Sequence, residues 1–172
     1  MKVFKKLVLL VLVFVTFKAN AQTDKATTTK IVEEKNYVFV ATSATPLNSA
    51  DINKIMSRMP GNMNGGNINL SGSSYDVRVV KDSVIAYLPY YGRSYSASMN
   101  PDEQGYKFTS TDFIYDSKKN KRGWNINIKT KDVRDNVQMN LSISQGGYAT
   151  LSVVSNNKQS ITYNGYLSEV KK

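Results

Sequence analysis

The sequence predicts an α+β domain that is mostly β: a curved antiparallel meander sheet or half-open barrel of about eight or nine strands, with a short N-terminal helix. Three observations predict it. From Asn67 onward, apolar residues recur at every second position. Short turn signals divide these runs, which makes successive strands antiparallel neighbours. A long succession of strands must also curl or close, because an open twisted sheet exposes its edges to other chains.

The chain begins with a segment that is read as a signal rather than as fold. "MKVFKKLVLLVLVFVTFKANAQ" opens with Lys2, Lys5 and Lys6, continues with an apolar run from Leu7 to Phe17, and closes on Ala19-Asn20-Ala21. Basic start, apolar middle and small-x-small end form a secretory signal peptide. The run of 11 residues falls short of the about 20 needed to span a bilayer. Cleavage is expected before Gln22, giving Met1–Ala21 as signal, residues 22–36 as an N-terminal segment and residues 37–172 as a single β-rich domain. With no cysteine near the cut, lipid anchoring is not expected. The expected location is therefore exported, periplasmic or extracellular, with no transmembrane helix after cleavage.

"TDKATTTKIVEEKN" supplies the helix, roughly 27 to 35. Thr23 or Asp24 can cap its start, and Asn36 tolerates the left-handed backbone that ends one. Its apolar face is thin: Ala26, Ile31 and Val32. "NYVFVATSA" then reads as the first strand. "SADINKIMSRMP" places Ile52, Ile55, Met56 and Met59 at helical spacing, and Pro60 stops that turn. The insert 47–66 is rich in Met, Asn and Gly. Met56, Met59 and Met63 have the softness to hold Cu(I), but gap-filling apolar packing is the simpler expectation, and no metal or cofactor is assigned.

The strands follow. "YDVRVV" alternates Tyr75, Val77 and Val79 against Asp76 and Arg78; "KDS" turns it and "VIAYLPYY" returns. "GYKFTSTDFIYD" and "GWNINIKT" flank a hairpin at Lys118–Arg122, with Trp124, Ile126 and Ile128 on one face. "NVQMNLSIS" aligns Val137, Met139, Leu141 and Ile143. Gln145-Gly146-Gly147 turns into "YATLSVVS", and Asn156-Asn157 turns into "QSITYNGYL".

Composition excludes much chemistry. The chain has no His and no Cys, which removes Ser-His-Asp and Cys-His nucleophilic sites, disulfides and the usual zinc ligand sets. Asp112 and Asp116 lie four residues apart. On one strand that is about 13 Å, wider than the about 6.5–9.5 Å of a carboxylate pair that inverts a glycoside. No catalytic residue is assigned and no enzyme is expected. The net charge of +10 falls to +6 once the four lysines of the signal are removed. That excess favours acidic surfaces but is not a nucleic-acid signature. The basic hairpin Lys118, Lys119, Lys121 and Arg122 is the expected point of contact with such surfaces.

"IAYLPYYGRSYSAS" is the candidate site. Pro89 cannot donate to a strand ladder, and Gly92 permits a bend, so the chain kinks between Leu88 and Arg93. Tyr87, Tyr90, Tyr91, Arg93 and Tyr95 are the candidate ligand-binding residues. Two readings stand: a structural corner with an inward Arg salt bridge, or an aromatic and guanidinium lining for a small apolar or glycan ligand.

"NYVFVATSATP", "YDVRVVKDSVIAYLPYYGRSYSA", "FTSTDFIYDSKKNKRGWNINIK" and "GYATLSVVSNNKQSITYNGYL" resemble the domain-of-unknown-function 4251 family of exported Gram-negative bacterial proteins. The resemblance runs roughly from Val32 to Leu167. Its most specific pieces are Leu88–Tyr95 and Ser155–Gln159. It implies export and one domain, and it carries no activity or catalytic residues.

The functional expectation is an exported, non-catalytic binding or interaction domain of the cell envelope, its partner a small ligand or an envelope protein. The alternative is an envelope enzyme using carboxylate, Tyr or Lys chemistry. Asp, Lys and Tyr side chains converging in the main concavity would favour the enzyme; a bare apolar pocket would favour a carrier.

Overall fold

The computed structural model describes residues 23–47, 57–58, 63–64, 66–96 and 105–170. The signal segment, Met56 and Met59 lie outside the described residues. The N-terminal helix α1 spans Lys25–Glu33. Eleven strands follow: β1 (Tyr37–Pro46), β2 (Met63–Asn64), β3 (Asn67–Asn69), β4 (Asp76–Val79), β5 (Val84–Leu88), β6 (Tyr106–Ser110), β7 (Phe113–Asn120), β8 (Gly123–Thr130), β9 (Gln138–Ser144), β10 (Tyr148–Val154) and β11 (Ile161–Glu169).

Nine strands form one antiparallel path, β6-β5-β4-β1-β11-β10-β9-β8-β7, with β2 and β3 attached beside β1. Two meanders, β4–β6 and β7–β11, are thus joined by the first strand. Tyr37 faces Val79 on one side and Glu169 on the other. The two ends of the path, β6 and β7, are consecutive in sequence and separated by Thr111 and Asp112 alone. The sheet is therefore a nearly closed barrel with an open seam.

The period-two alternation fills the interior. Trp124, Ile126 and Ile128 of β8, Met139, Leu141 and Ile143 of β9, Leu151 and Val153 of β10, and Phe39, Val77 and Leu167 are all buried in one cluster. Each such side chain contributes roughly 1.5–3 kcal/mol relative to exposure, and together they fill the barrel interior with packed side chains. The outward positions carry hydrogen-bonded polar pairs instead: Asn125 with Ser142 at 2.8 Å and Thr150 with Asn164 at 3.0 Å.

At the seam, Asp132 fastens the corner between β6 and β7. Its carboxylate accepts from the Ser110 hydroxyl at 2.5 Å, the Thr111 amide at 2.8 Å and the Asp112 amide at 3.1 Å. These bonds, the Ser110 hydroxyl first, hold the Asp132 carboxyl well below the usual carboxylate range. Asp112 lies in this turn rather than on β7, and its carboxylate pairs with Lys131 at 3.4 Å. Asp116 pairs with Lys118 at 3.8 Å.

Helix α1 packs on one mouth of the barrel. The Asp24 carboxylate accepts from the Thr27 amide at 2.8 Å and caps its start. Its end is a Schellman turn: Asn36 N–H donates to the Ile31 carbonyl and Lys35 N–H to the Val32 carbonyl. The left-handed residue is Lys35, at φ 50°, not Asn36 as the sequence suggests; Asn36 sits one place later and leads into β1. Thr28, Ile31 and Val32 are buried beneath the helix. Glu33 pairs with Lys119 at 2.9 Å, and the Lys119 ammonium also lies 5.4 Å from the centre of the Trp124 ring. Two cations of the expected basic hairpin, Lys118 and Lys119, are therefore engaged within the chain.

Candidate functional site

The other mouth is crossed by the segment after β5. Leu88 ends the ladder with β6, and Pro89 turns the chain over the barrel end. The buried Tyr163 hydroxyl donates to the Pro89 carbonyl at 2.5 Å. The Tyr90 hydroxyl turns back to the Arg93 carbonyl at 2.8 Å. Gly92 makes this possible, because a Cβ there would lie 2.6 Å from the Tyr90 hydroxyl oxygen. Beyond the bend the segment pairs with the β10–β11 turn. Ser94 bridges Lys158, the Tyr95 amide donates to the Asn157 carbonyl at 2.8 Å, and the Gln159 amide donates to the Arg93 carbonyl at 3.1 Å. The segment is thus a strap, fixed at both sides, over the second mouth.

The strap divides the five sequence-predicted residues. Tyr90 and Tyr91 turn inward and pack on the core. The Tyr90 ring meets Tyr106 edge-on at 5.8 Å. Burial raises the Tyr91 phenol above its ordinary value. Arg93 is exposed, so its side chain does not take the inward place expected of it, and its backbone carbonyl does the fastening. Tyr95 is 71% exposed, and Tyr87, 47% exposed on the outer face of β5, packs against Tyr75 with ring centres 5.4 Å apart. The structure therefore brings Tyr90 and Tyr91 together and sends Tyr87, Arg93 and Tyr95 outward.

Beside the strap lies a cavity of about 330 Å³, bounded by β6, the β8–β9 loop and the β10–β11 turn; Ser96, Tyr106, Phe108, Asp135, Val137 and Lys158 are among its walls. Its chemistry is concentrated in residues that sequence reasoning did not single out. Lys158 is 7% exposed. Its ammonium lies 3.8 Å from an Asp135 carboxylate oxygen, 5.3 Å from the Tyr106 ring centre and 6.0 Å from that of Tyr90. Tyr106 is 3% exposed, and among the described residues its buried hydroxyl has no hydrogen-bond partner. Burial is the main cause that pushes the Tyr106 phenol up to about 12; the nearby Ser155 hydroxyl opposes it.

The loop geometry serves this arrangement. Asp135 and Asn136 are left-handed, at φ 76° and 43°, a backbone that Asp and Asn tolerate better than most residues. The Asp135 carbonyl accepts from the Asn156 amide at 3.0 Å, and the Ser155 hydroxyl accepts from the Lys158 amide at 3.1 Å. Two turns from distant parts of the chain are thereby locked together with Lys158 directed inward. In sequence a lysine in "SNNKQS" reads as a solvated turn residue. Its one signal is its place in Ser155–Gln159, among the most specific pieces of the family resemblance, to which no role is attached.

A family model for DUF4251, a domain of unknown function, matches residues 19–167. The chain belongs to the DUF4251 family. A crystal structure of a DUF4251 family protein from Bacteroides eggerthii DSM 20697 is similar in fold, with a TM-score of 0.56 at 13% identity, covering 84% of this chain and 87% of that one. No curated protein matches the sequence. At this identity the likeness of the two DUF4251 proteins concerns the fold alone. Among the described residues of this DUF4251 chain there is no group of three or more acidic residues placed to hold a metal, and no helix long and apolar enough to cross a membrane.

Proposed function

We propose that this protein is an exported, non-catalytic binding module of the bacterial cell envelope, and that its ligand site is the cavity beside the strap. The cavity itself carries the reading. Its about 330 Å³ sits at the small end of ligand pockets. Its walls set Phe108, Val133 and Val137 among polar side chains that include Asp135 and Lys158, which gives a ligand both apolar contact and polar anchors. Export rests on the basic, apolar and small-residue order of Met1–Ala21. Two measurements test the proposal. N-terminal sequencing of protein from its native host should begin at Gln22; an intact Met1 on cytoplasmic protein would refute export. A small-molecule screen followed by amide chemical shifts should move Tyr106, Val137 and Lys158 together; hits that shift only other surfaces would refute the site.

A second reading has one observation in its favour: Asp135, Lys158 and Tyr106 do converge in this cavity, as an enzyme would require. The geometry weighs against it. The Lys158 ammonium sits over the Tyr106 ring rather than at its hydroxyl, and a phenol raised to about 12 is a poor base near pH 7. Turnover of an ester, peptide or glycoside by purified protein, lost in Asp135→Asn, would establish the enzyme instead.

A further inference from the structure

We infer that the cavity takes a small monocarboxylate with an apolar body, its carboxylate received by Lys158 and the Tyr106 hydroxyl. This rests on the binding reading above and specifies its ligand. A buried ammonium needs a counter-charge with good geometry. Lys158 has Asp135 at 3.8 Å, at the far limit of an ion pair, and otherwise two ring faces. Rings attract a cation but do not accept its three N–H groups. Tyr106, whose ring centre lies 5.3 Å from that ammonium, has a buried hydroxyl with no well-formed hydrogen bond; the Ser155 hydroxyl is near it but already accepts from the Lys158 amide. Such a group costs free energy unless something satisfies it. One anionic oxygen placed between them would accept from both.

The rest of the cavity sets the class. Among the described residues that line it, the cations Lys107, Arg134 and Lys158 stand beside the acids Asp132 and Asp135, three positive charges to two negative. That balance suits a single carboxylate and disfavours a phosphate dianion, whose second charge would meet the two aspartates. Phe108 and Val133, both packed on the core, line the same cavity and give an apolar body somewhere to rest. Asp132 is already committed to the seam, so the wall it occupies is fixed before any ligand arrives.

The test titrates the purified protein with benzoate, hexanoate, benzamide and inorganic phosphate, read by amide chemical shifts and calorimetry. Benzoate or hexanoate should shift Lys158, Tyr106 and Val137 and should bind at least about tenfold more tightly than benzamide, the increment that 1.4 kcal/mol supplies. Lys158→Met should lose that preference. If this variant fails to fold, Tyr106→Phe serves in its place: it removes one unpartnered hydroxyl, should melt no lower than the parent, and should weaken benzoate several-fold. Benzamide binding as well as benzoate at the same residues would overturn the carboxylate inference and leave the binding site standing. Phosphate binding more tightly than either carboxylate would also overturn it. No shift at the cavity from any of the four probes, with none from a wider screen, would remove both readings.

Discussion

The Tyr163 hydroxyl, near the start of β11, donates to the Pro89 carbonyl of the strap at 2.5 Å. This one bond joins β11 to a segment 74 residues earlier. Tyr163→Phe keeps the ring and leaves the carbonyl of the half-buried Pro89 without this donor. The expected cost is about 1–3 kcal/mol, measured by urea denaturation. A variant as stable as the parent would mean that the strap is held elsewhere.

Gly92 and Tyr90 form a second such pair. Gly92→Ala puts a methyl group against the Tyr90 hydroxyl and its ring carbon, at 2.6 and 2.9 Å. Tyr90 must swing away, losing its bond to the Arg93 carbonyl and its contact with Tyr106. Overpacking of this kind costs about 1–3 kcal/mol. Tyr90→Ala should remove the clash, so the double variant should be less destabilised than the sum of the two singles.

Arg93→Ala should change stability by no more than about 0.5 kcal/mol, because the side chain is exposed and the structural work belongs to its carbonyl. Tyr91→Ala, which removes a half-buried ring, should cost clearly more. Thermal melts that reverse this order would place the guanidinium, not the rings, at the heart of the strap.

Tyrosines make the alkaline limb informative. Burial raises Tyr163 and Tyr37 well above the ordinary value of 10.0, and Tyr106 to about 12. The folded state thus resists an ionisation that the unfolded chain accepts. Their contribution is complete below pH 10 and is lost as pH rises above it, for Tyr106 toward about 12. Absorbance at about 295 nm should therefore show a fraction of the 11 tyrosines ionising near pH 10, and a late group ionising together with unfolding. A single smooth titration of all of them near pH 10 would contradict the burial of this cluster.

Asp132 acts at the other end of the scale. Its folded value is depressed by the seam hydrogen bonds, so its contribution is present above the unfolded value near 3.8 and lost as pH falls below it. Asp132→Asn should flatten the acid limb of the stability profile in that range. It should also speed hydrogen exchange at the Thr111 and Asp112 amides. An acid limb unchanged in the variant would mean that the corner is fastened by the backbone alone.

Much of the barrel was legible because its cause is local. Trp124, Ile126 and Ile128 alternate in sequence and are buried in fact; so are Met139, Leu141 and Ile143. The hairpin at Asn120–Gly123 and the turn before Tyr148 follow from their own residues. What could not be read depends on partners far along the chain. Nothing in "NYVFVATSATP" says that β1 will lie between β4 and β11. Nothing in "IAYLPYYGRSYSAS" says that Ser94 will pair with Lys158. Pro89 and Gly92 do predict the kink from the sequence alone, yet three of the five candidate side chains face away from it. The groups that converge on the cavity, Tyr106, Asp135 and Lys158, come from three separate connections, and each alone resembles an ordinary surface residue.

The position of β1 has a kinetic consequence. It is the first strand to be synthesised, and its longest pairing, from Tyr37 to Pro46, is with β11, the last. One side of β1 is completed early, by β3 and β4; the other waits for β11. Closing a loop of that length precedes any reward from the pairing, and topologies rich in such distant contacts fold in roughly milliseconds to seconds rather than microseconds. A chain whose opening strand waits for its closing one stays open while it is being made.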